Sequence, residues 1–550
     1  MVRVHTFLFI GLFFLGACAS GMKDQLKEYR NAYASQDYVK AAKLLEKSKL
    51  KKSPKSALLW HMEKGSVSLA QGQEDAAITH FQTALDLIDK LYTTKVSSKA
   101  ASLLINDPSD DFYGASYERS YVHYFLSKSY YSRYLKTGNK LDLQGARGTI
   151  LAWDTYFTEL QRSASSKTLY STDLMLKVFG GEIHEVSEIR NDKQISLQLY
   201  KDALNILHGP GGIFSIFNSK NVDYIKAFEK EGKTPSSKLY VSTPAYDDLK
   251  DFLHFKILSL TKEIRGSDFN AQVKTLKPKE AVSKQASAGP GNVVLVLEEG
   301  LIPEKTGKPF NFGIKGAIKS VDNSGAQAFI ATVGTEIVTA FAMNKLGMIP
   351  ERTASPGSFI FAHDVTRLAV QEAAIEFELP MIENVPLVQR LQMFILDDKG
   401  VVIQKGPLPV VSENGDIARI VLEEDVLARY VKTGTRVAIK HLVAIVAAMK
   451  VYQSLKQGNN DGDFLAKTAA MATYVGAAKG IASLEKADTR HWTTIPQALR
   501  VTEVKLPPGN YQLAIAHYVG ENAPEAPTKI LGPFQVKNSS KEIFNFKFDL

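Results

Sequence analysis

Apolar positions along the chain change their period near its middle. From Gly21 to about Lys233 they recur three and four residues apart, in segments split by short polar turns, which predicts helix after helix. The clearest unit runs from Leu58 to Asp89. Gly65 and Ala77 stand where two helices would touch, Gly72 in the turn between them, and Phe81 and Ala84 on the face of the second helix. An upstream neighbour pairs Tyr29, Ala32 and Tyr33 with Ala41, Leu45 and Ser48 across a Gln36-Asp37 turn. Two looser pairs follow, Tyr117–Leu135 with Ala146–Leu160 and Asp173–Ile189 with Ser196–Leu207. A bridging helix is expected over Tyr246–Arg265, and residues 267–291 then lose periodicity and read as a linker or mobile loop. Beyond the linker short strands are expected at Val293–Glu298, Phe310–Ile318, Leu391–Leu396, Val401–Lys405, Asn510–Tyr518, Gly532–Val536 and Ile543–Phe548. Asp397-Asp398-Lys399-Gly400 reads as a hairpin turn. Interposed is an Ala-rich helical hairpin, Thr435–Gln457 with Asp463–Ala487.

The paired helices resemble tetratricopeptide (TPR) repeats, in which small residues permit close helix contact and several repeats must stack to bury their faces. Trp60 is one place early for that pattern, and Lys64 replaces the usual leucine. The fold class is therefore expected to be α+β and multidomain. A TPR-like α-solenoid (18–233) and a bridging helix (234–266) lead through the linker (267–291) into an antiparallel, sandwich-like β-rich domain (292–550) carrying the hairpin at 435–487. Tyrosines crowd the helical half. Tyr117, Tyr121 and Tyr124 are candidates to line a concave groove for a bound peptide, and packing between repeats is the alternative.

The N-terminus adds a location. Arg3 precedes an apolar run from Phe7 to Leu15, followed by Leu15-Gly16-Ala17-Cys18, and Cys18 is the only cysteine of the 550 residues. A basic start, a short apolar stretch and small residues before a thiol read as a lipoprotein signal peptide, residues 1–17, with diacylglycerol and an acyl chain on Cys18. The run is too short to span a bilayer. Ala19 and Ser20 after Cys18 resemble the default outer-membrane sorting signal, so the expected site is the periplasmic face of that membrane. Without other thiols the mature chain has no thiolate metal site and no cysteine catalysis. Net charge is +9, and ten Lys or Arg stand between Lys23 and Lys55 against four acids. That basic segment beside the anchor suits either anionic headgroups or plain solvent. Nucleic acid is excluded as a partner by the compartment.

Catalytic motifs do not match. Gly300–Lys308 has the wrong glycine spacing for a P-loop and Pro309 in place of Ser/Thr, His184-Glu185 lacks a second histidine four residues on, and no Gly-x-Ser-x-Gly occurs. Asn459-Asn460-Asp461-Gly462-Asp463 has calcium-loop composition without the twelfth-position acid. No catalytic residue, metal or soluble cofactor is therefore expected. Asp488, Arg490 and Trp492 form a possible binding cluster, the alternative being a buried ion pair under an indole.

Phe112-Tyr113-Gly114-x2-Tyr117-Glu118-Arg119, Asn292–Lys305 and Ala487-Asp488-Thr489-Arg490-His491-Trp492 resemble the recurrent motifs of an uncharacterised family of bacterial envelope lipoproteins with TPR-like N-terminal halves. The resemblance carries no established activity or site residues. It implies an envelope role, and the TPR-like architecture points by analogy to a non-enzymatic scaffold or adaptor for an envelope complex, in secretin or barrel assembly or in cell-wall synthase regulation. A peptidoglycan- or polysaccharide-directed hydrolase or glycan binder using the β-rich half is the alternative.

Overall fold

The computed structural model describes residues 17–93, 111–162, 169–187, 189–209, 212–230, 244–313, 374–382, 384–424, 426–455, 460–520, 522–537 and 540–548. Residues 1–16 of the expected signal peptide lie outside them. Cys18 sits in the first turn of α1 (Ala17–Ala34), and α2 (Tyr38–Lys47) and the short α3 (Lys49–Lys52) follow. Next come α4 (Ala57–Ala70), α5 (Glu74–Thr93), α6 (Ser116–Thr137), α7 (Lys140–Arg162), α8 (Leu174–Glu185), α9 (Arg190–His208), α10 (Ile213–Lys230) and α11 (Pro244–Ile264). Local chemistry sets several starts. Asp37 accepts from Lys40 N at 3.0 Å, Asp173 accepts from Met175 N at 2.7 Å, and Pro244 opens α11 where its missing N–H costs nothing. Successive helices pack on one another from α4 to α9, and α11 lies against α9.

The second half holds three sheets among the described residues. Its strands are β1 (Val293–Glu299), β2 (Thr306–Gly313), β3 (Ala374–Met381), β4 (Arg390–Leu396), β5 (Val402–Pro407), β6 (Val410–Glu413), β7 (Ala498–Val504), β8 (Gly509–Tyr518), β9 (Lys529–Val536) and β10 (Glu542–Phe548). The inner sheet has order β10-β1-β7-β6, the outer sheet β5-β4-β8-β9, and β2 pairs with β3 alone. Val293, Leu295 and Leu297 on one face of β1 pack with Leu391, Met393, Ile395, Leu513 and Ile515 of the outer sheet. Val294 and Val296 on its other face join Leu499, Val501 and Ile543 in a core shared with the helices. The layers are thus helices, inner sheet, outer sheet. This is why β1 reads as a continuous apolar run: both of its faces are covered.

The α+β class stands, with differences of detail. The sheets are not wholly antiparallel, because β1 and β10 pair in parallel, Val293 opposite Glu542. Residues 267–291 are not an unpatterned linker. They fold as α12 (Phe269–Leu276) and α13 (Glu280–Ser287), whose Phe269, Val273, Val282 and Ala286 pack on Phe255 and Leu258 of α11. The expected strand Phe310–Ile318 is β2, ending at Gly313, and 314–318 lie outside the described residues. A short helix α14 (Asn414–Glu424) follows β6. The helical hairpin comprises α15 (Val426–Leu455), starting well before Thr435, and α16 (Asn460–Leu484). Packing shows no boundary between the halves, since one cluster of buried residues runs from Tyr29 of α1 through Trp153 and Trp492 to Ile543.

Candidate functional site

The seam between helices and inner sheet is the chemically richest part of the molecule. At its centre the chain from Asp488 to Gln497 enters the face of α4, α5 and α6. Trp492 is fully buried, its ring 5.1 Å from that of Phe125 and 6.0 Å from that of Phe81. Its indole N–H donates to Ser66 Oγ at 3.1 Å and Thr494 Oγ1 at 2.9 Å, and its backbone N–H to Glu118 at 2.8 Å. Glu63 of α4 receives Thr493 N at 2.6 Å, Thr493 Oγ1 at 2.8 Å, Thr494 Oγ1 at 2.7 Å and Tyr29 OH at 3.1 Å. Burial lifts the Glu63 carboxyl to about 6, even against those hydrogen bonds. Two helix carboxylates therefore read the main chain of one extended segment.

Charged groups close both ends of the inner sheet's helix face. Glu298 of β1 pairs with Lys128 of α6, accepts from Tyr124 OH at 3.1 Å and lies 3.7 Å from Lys547 of β10. Burial opposes its ionisation, but Lys128 and Lys547 hold its carboxyl below the usual range. Tyr121 OH donates to Ser412 Oγ of β6 at 3.0 Å. At the other end Lys256 of α11 lies 3.0 Å from Glu182 and 2.7 Å from Glu185 of α8, and also pairs with Glu503 of β7. Lys541 meets the same three carboxylates, at 3.0 Å from Glu182. All five are buried. Desolvation would raise Glu185, yet the two ammonium groups hold it down to about 2, whereas desolvation raises Glu182. The three carboxylates stand close enough for one cation. The two lysine ammoniums already supply that positive charge.

On the sheet's outer-sheet face Arg500 bonds Glu299 at 2.6 Å and His517 meets Glu299 at 3.0 Å. Burial works against ionisation there too, but Arg500 and His517 keep Glu299 at about 2. Glu413, at the end of β6, differs. It is fully buried and neither carboxyl oxygen has a hydrogen-bond partner, so desolvation, with Asp416 and Glu299 nearby, raises it well above the usual carboxylate range. A cleft of about 330 Å³ opens separately between α7 and α9. Its Asp154 and Asp202 share Lys177, at 2.7 and 3.7 Å.

The residues singled out in the sequence fall into three places. Ala77, Phe81 and Ala84 are fully buried at the α4–α5 contact, and a Cβ at Gly65 would stand 2.5 Å from the Phe81 ring, so only glycine allows that approach. Gly72 turns the chain with φ +69°. Tyr117, Tyr121 and Tyr124 are also fully buried. They do not line an open groove, because the chain's own inner sheet covers that face. Asp488 and Arg490 form an ion pair, Nη2 to Oδ2 2.7 Å, with Arg490 reaching Lys55 O and Ser56 Oγ at 3.3 Å. Trp492 does not cap that pair but points into the core, so the three make no single binding cluster. Glu63, Glu118, Glu182, Lys256, Glu503 and Lys541 were missed. Nothing in the sequence marks the distant partner of any of these charges. Among the described residues no helix is long and apolar enough to cross a membrane. The chain matches no family model, no curated protein and no solved structure.

Proposed function

We propose that this chain is an outer-membrane lipoprotein, acylated at Cys18, that works without catalysis as a TPR-like scaffold for an envelope protein complex. The observation that carries the anchored reading is positional. Lys49 N donates to the Gln25 side chain at 3.0 Å, which lays the basic turn α3 against α1 only seven residues, about 10 Å, beyond Cys18. Lys43, Lys47, Lys51, Lys52 and Lys55 are exposed there. A lipid chain and a basic patch at one end of a molecule are the two signals that stable attachment needs, and each lysine near an anionic surface adds about 1 kcal/mol.

The close helix contacts at Gly65, Ala77, Phe81 and Ala84 support the TPR-like reading of the frame. Its groove-facing tyrosines hold the chain's own sheet, so a partner meets the outer surface. On α7 that surface presents Leu141 and Leu151, each 68 % exposed. The setting, secretin or barrel assembly or control of cell-wall synthesis, rests on likeness of architecture alone.

Two measurements test this. Cys18→Ala should abolish acylation and move the protein from the membrane to the soluble fraction, and a variant still membrane-bound after a high-salt wash refutes the anchor. A photo-crosslinking side chain at 141 or 151 in intact cells should capture an envelope protein, while one at buried position 121 should capture only this chain. Capture of the same partner through 121 would show that the groove opens, against the packing described.

A further inference from the structure

Away from the seam, α4 and α5 bring two histidines together. His61 Nδ1 and His80 Nδ1 are 3.1 Å apart, with ring centroids at 5.2 Å. Trp60 meets both rings edge-on, at 4.9 and 5.4 Å. Both rings are half-buried, on helices fixed by the buried Ala77 and Phe81 contact.

We propose that His61 and His80 form a two-imidazole site for a borderline divalent cation of the Zn²⁺ or Cu²⁺ type, its remaining positions open to water. Two nitrogens at this separation meet in one of two ways. A proton on one ring donates to the other, or both lone pairs converge on a metal. With metal–nitrogen bonds of about 2.0–2.1 Å, a separation of 3.1 Å corresponds to a nitrogen–metal–nitrogen angle of about 100°. That lies between the right angle of a tetragonal Cu²⁺ site and the tetrahedral angle of Zn²⁺. Surrounding charge tunes the site. Lys64 acts against positive charge on His80 and Glu46 for it, and Lys64 is 2.7 Å from Glu46.

The test is calorimetric titration of ZnCl2 into the full mature chain in detergent, after stripping with EDTA. One saturable equivalent is expected. His61→Gln and His80→Gln should each weaken it by about tenfold or more, since even the loss of a group supporting a ligand costs that much. With Cu²⁺, the electron paramagnetic spectrum of the wild type should show coupling to two nitrogens, reduced to one in either variant. Lys64→Gln should tighten binding, which a merely structural histidine pair would not do. No saturable wild-type binding, or equal binding by the doubly substituted protein, overturns the proposal. If a histidine variant melts early in EDTA, Lys64→Gln decides: tighter Zn²⁺ binding supports the site and unchanged affinity overturns it.

Discussion

Trp492→Ala is the sharpest test that helices and sheets form one cooperative unit. The indole is fully buried between Phe81 and Phe125, side chains of α5 and α6, while its backbone leads directly into β7. Truncating a buried tryptophan costs about 3–5 kcal/mol in lost burial and cavity. The hydroxyls it touches keep other acceptors. Ser66 Oγ donates to Met62 O at 3.2 Å and Thr494 Oγ1 to Glu63 at 2.7 Å, so no donor is orphaned. Trp492→Phe, which keeps a ring and loses one shared N–H bond, should therefore cost only about 1–2 kcal/mol. Urea unfolding followed by circular dichroism measures both losses. Amide exchange in the native state locates them: in Trp492→Ala, protection should fall together in α4 to α6 and in β7, because the residue belongs to both. Faster exchange confined to the sheets, with the helices unchanged, would refute the single-unit reasoning, as would an unshifted urea midpoint.

Lys541→Met should destabilise by about 3–5 kcal/mol at pH 7, because it leaves Glu182, Glu185 and Glu503 with Lys256 alone. The deficit relative to wild type should shrink toward pH 4 as the spare carboxylates take up protons, and a pH-independent deficit would refute the charge argument. In the wild type, folded Glu185 protonates only near 2 against an ordinary 4.5, so the unfolded chain binds more protons between those values. Its contribution is present above about 4.5 and lost as the pH falls toward 2. Glu413 has the opposite sign: its folded value is raised, so the folded chain binds more protons and stability falls as the pH rises above the ordinary 4.5. Glu413→Gln, a mimic of the protonated acid, should match wild type near pH 4.5 and exceed it increasingly to pH 8. Equal loss at both ends of that range, read from urea midpoints, would show that the acid has a partner.

What the sequence made legible follows range of interaction. Gly65, Ala77, Phe81 and Ala84 were readable because a helix pair is a local object, with partners less than twenty residues apart and a fixed period. The hairpin at Asp397–Gly400 was readable for the same reason. Strand β7 was missed because Arg500 and Glu503 interrupt its apolar pattern, and each does so to meet a group elsewhere: Arg500 meets Glu299, and Glu503 meets Lys256 and Lys541. The short α12 and α13 escaped because their few apolar residues count only once α11 is there to receive them. His61 and His80 are nineteen positions apart, and their meeting depends on the rotation of two helices about a shared contact.

The same distinction bears on how the helical half should be understood. A stack of paired helices offers a broad face, and reading its tyrosines as an open groove follows from treating the halves as separate. Here the carboxylates of Glu63 and Glu118 take backbone N–H groups and hydroxyls from residues 492–494. What this face holds is the chain itself, more than 370 residues downstream. A fragment ending near Arg265 would leave Glu63 and Glu118 without residues 492–494, and Glu182 and Glu185 without Lys541. Cutting between α11 and α12 therefore removes the segment that covers this face, and any function assigned to the helical half has to be sought on the intact chain.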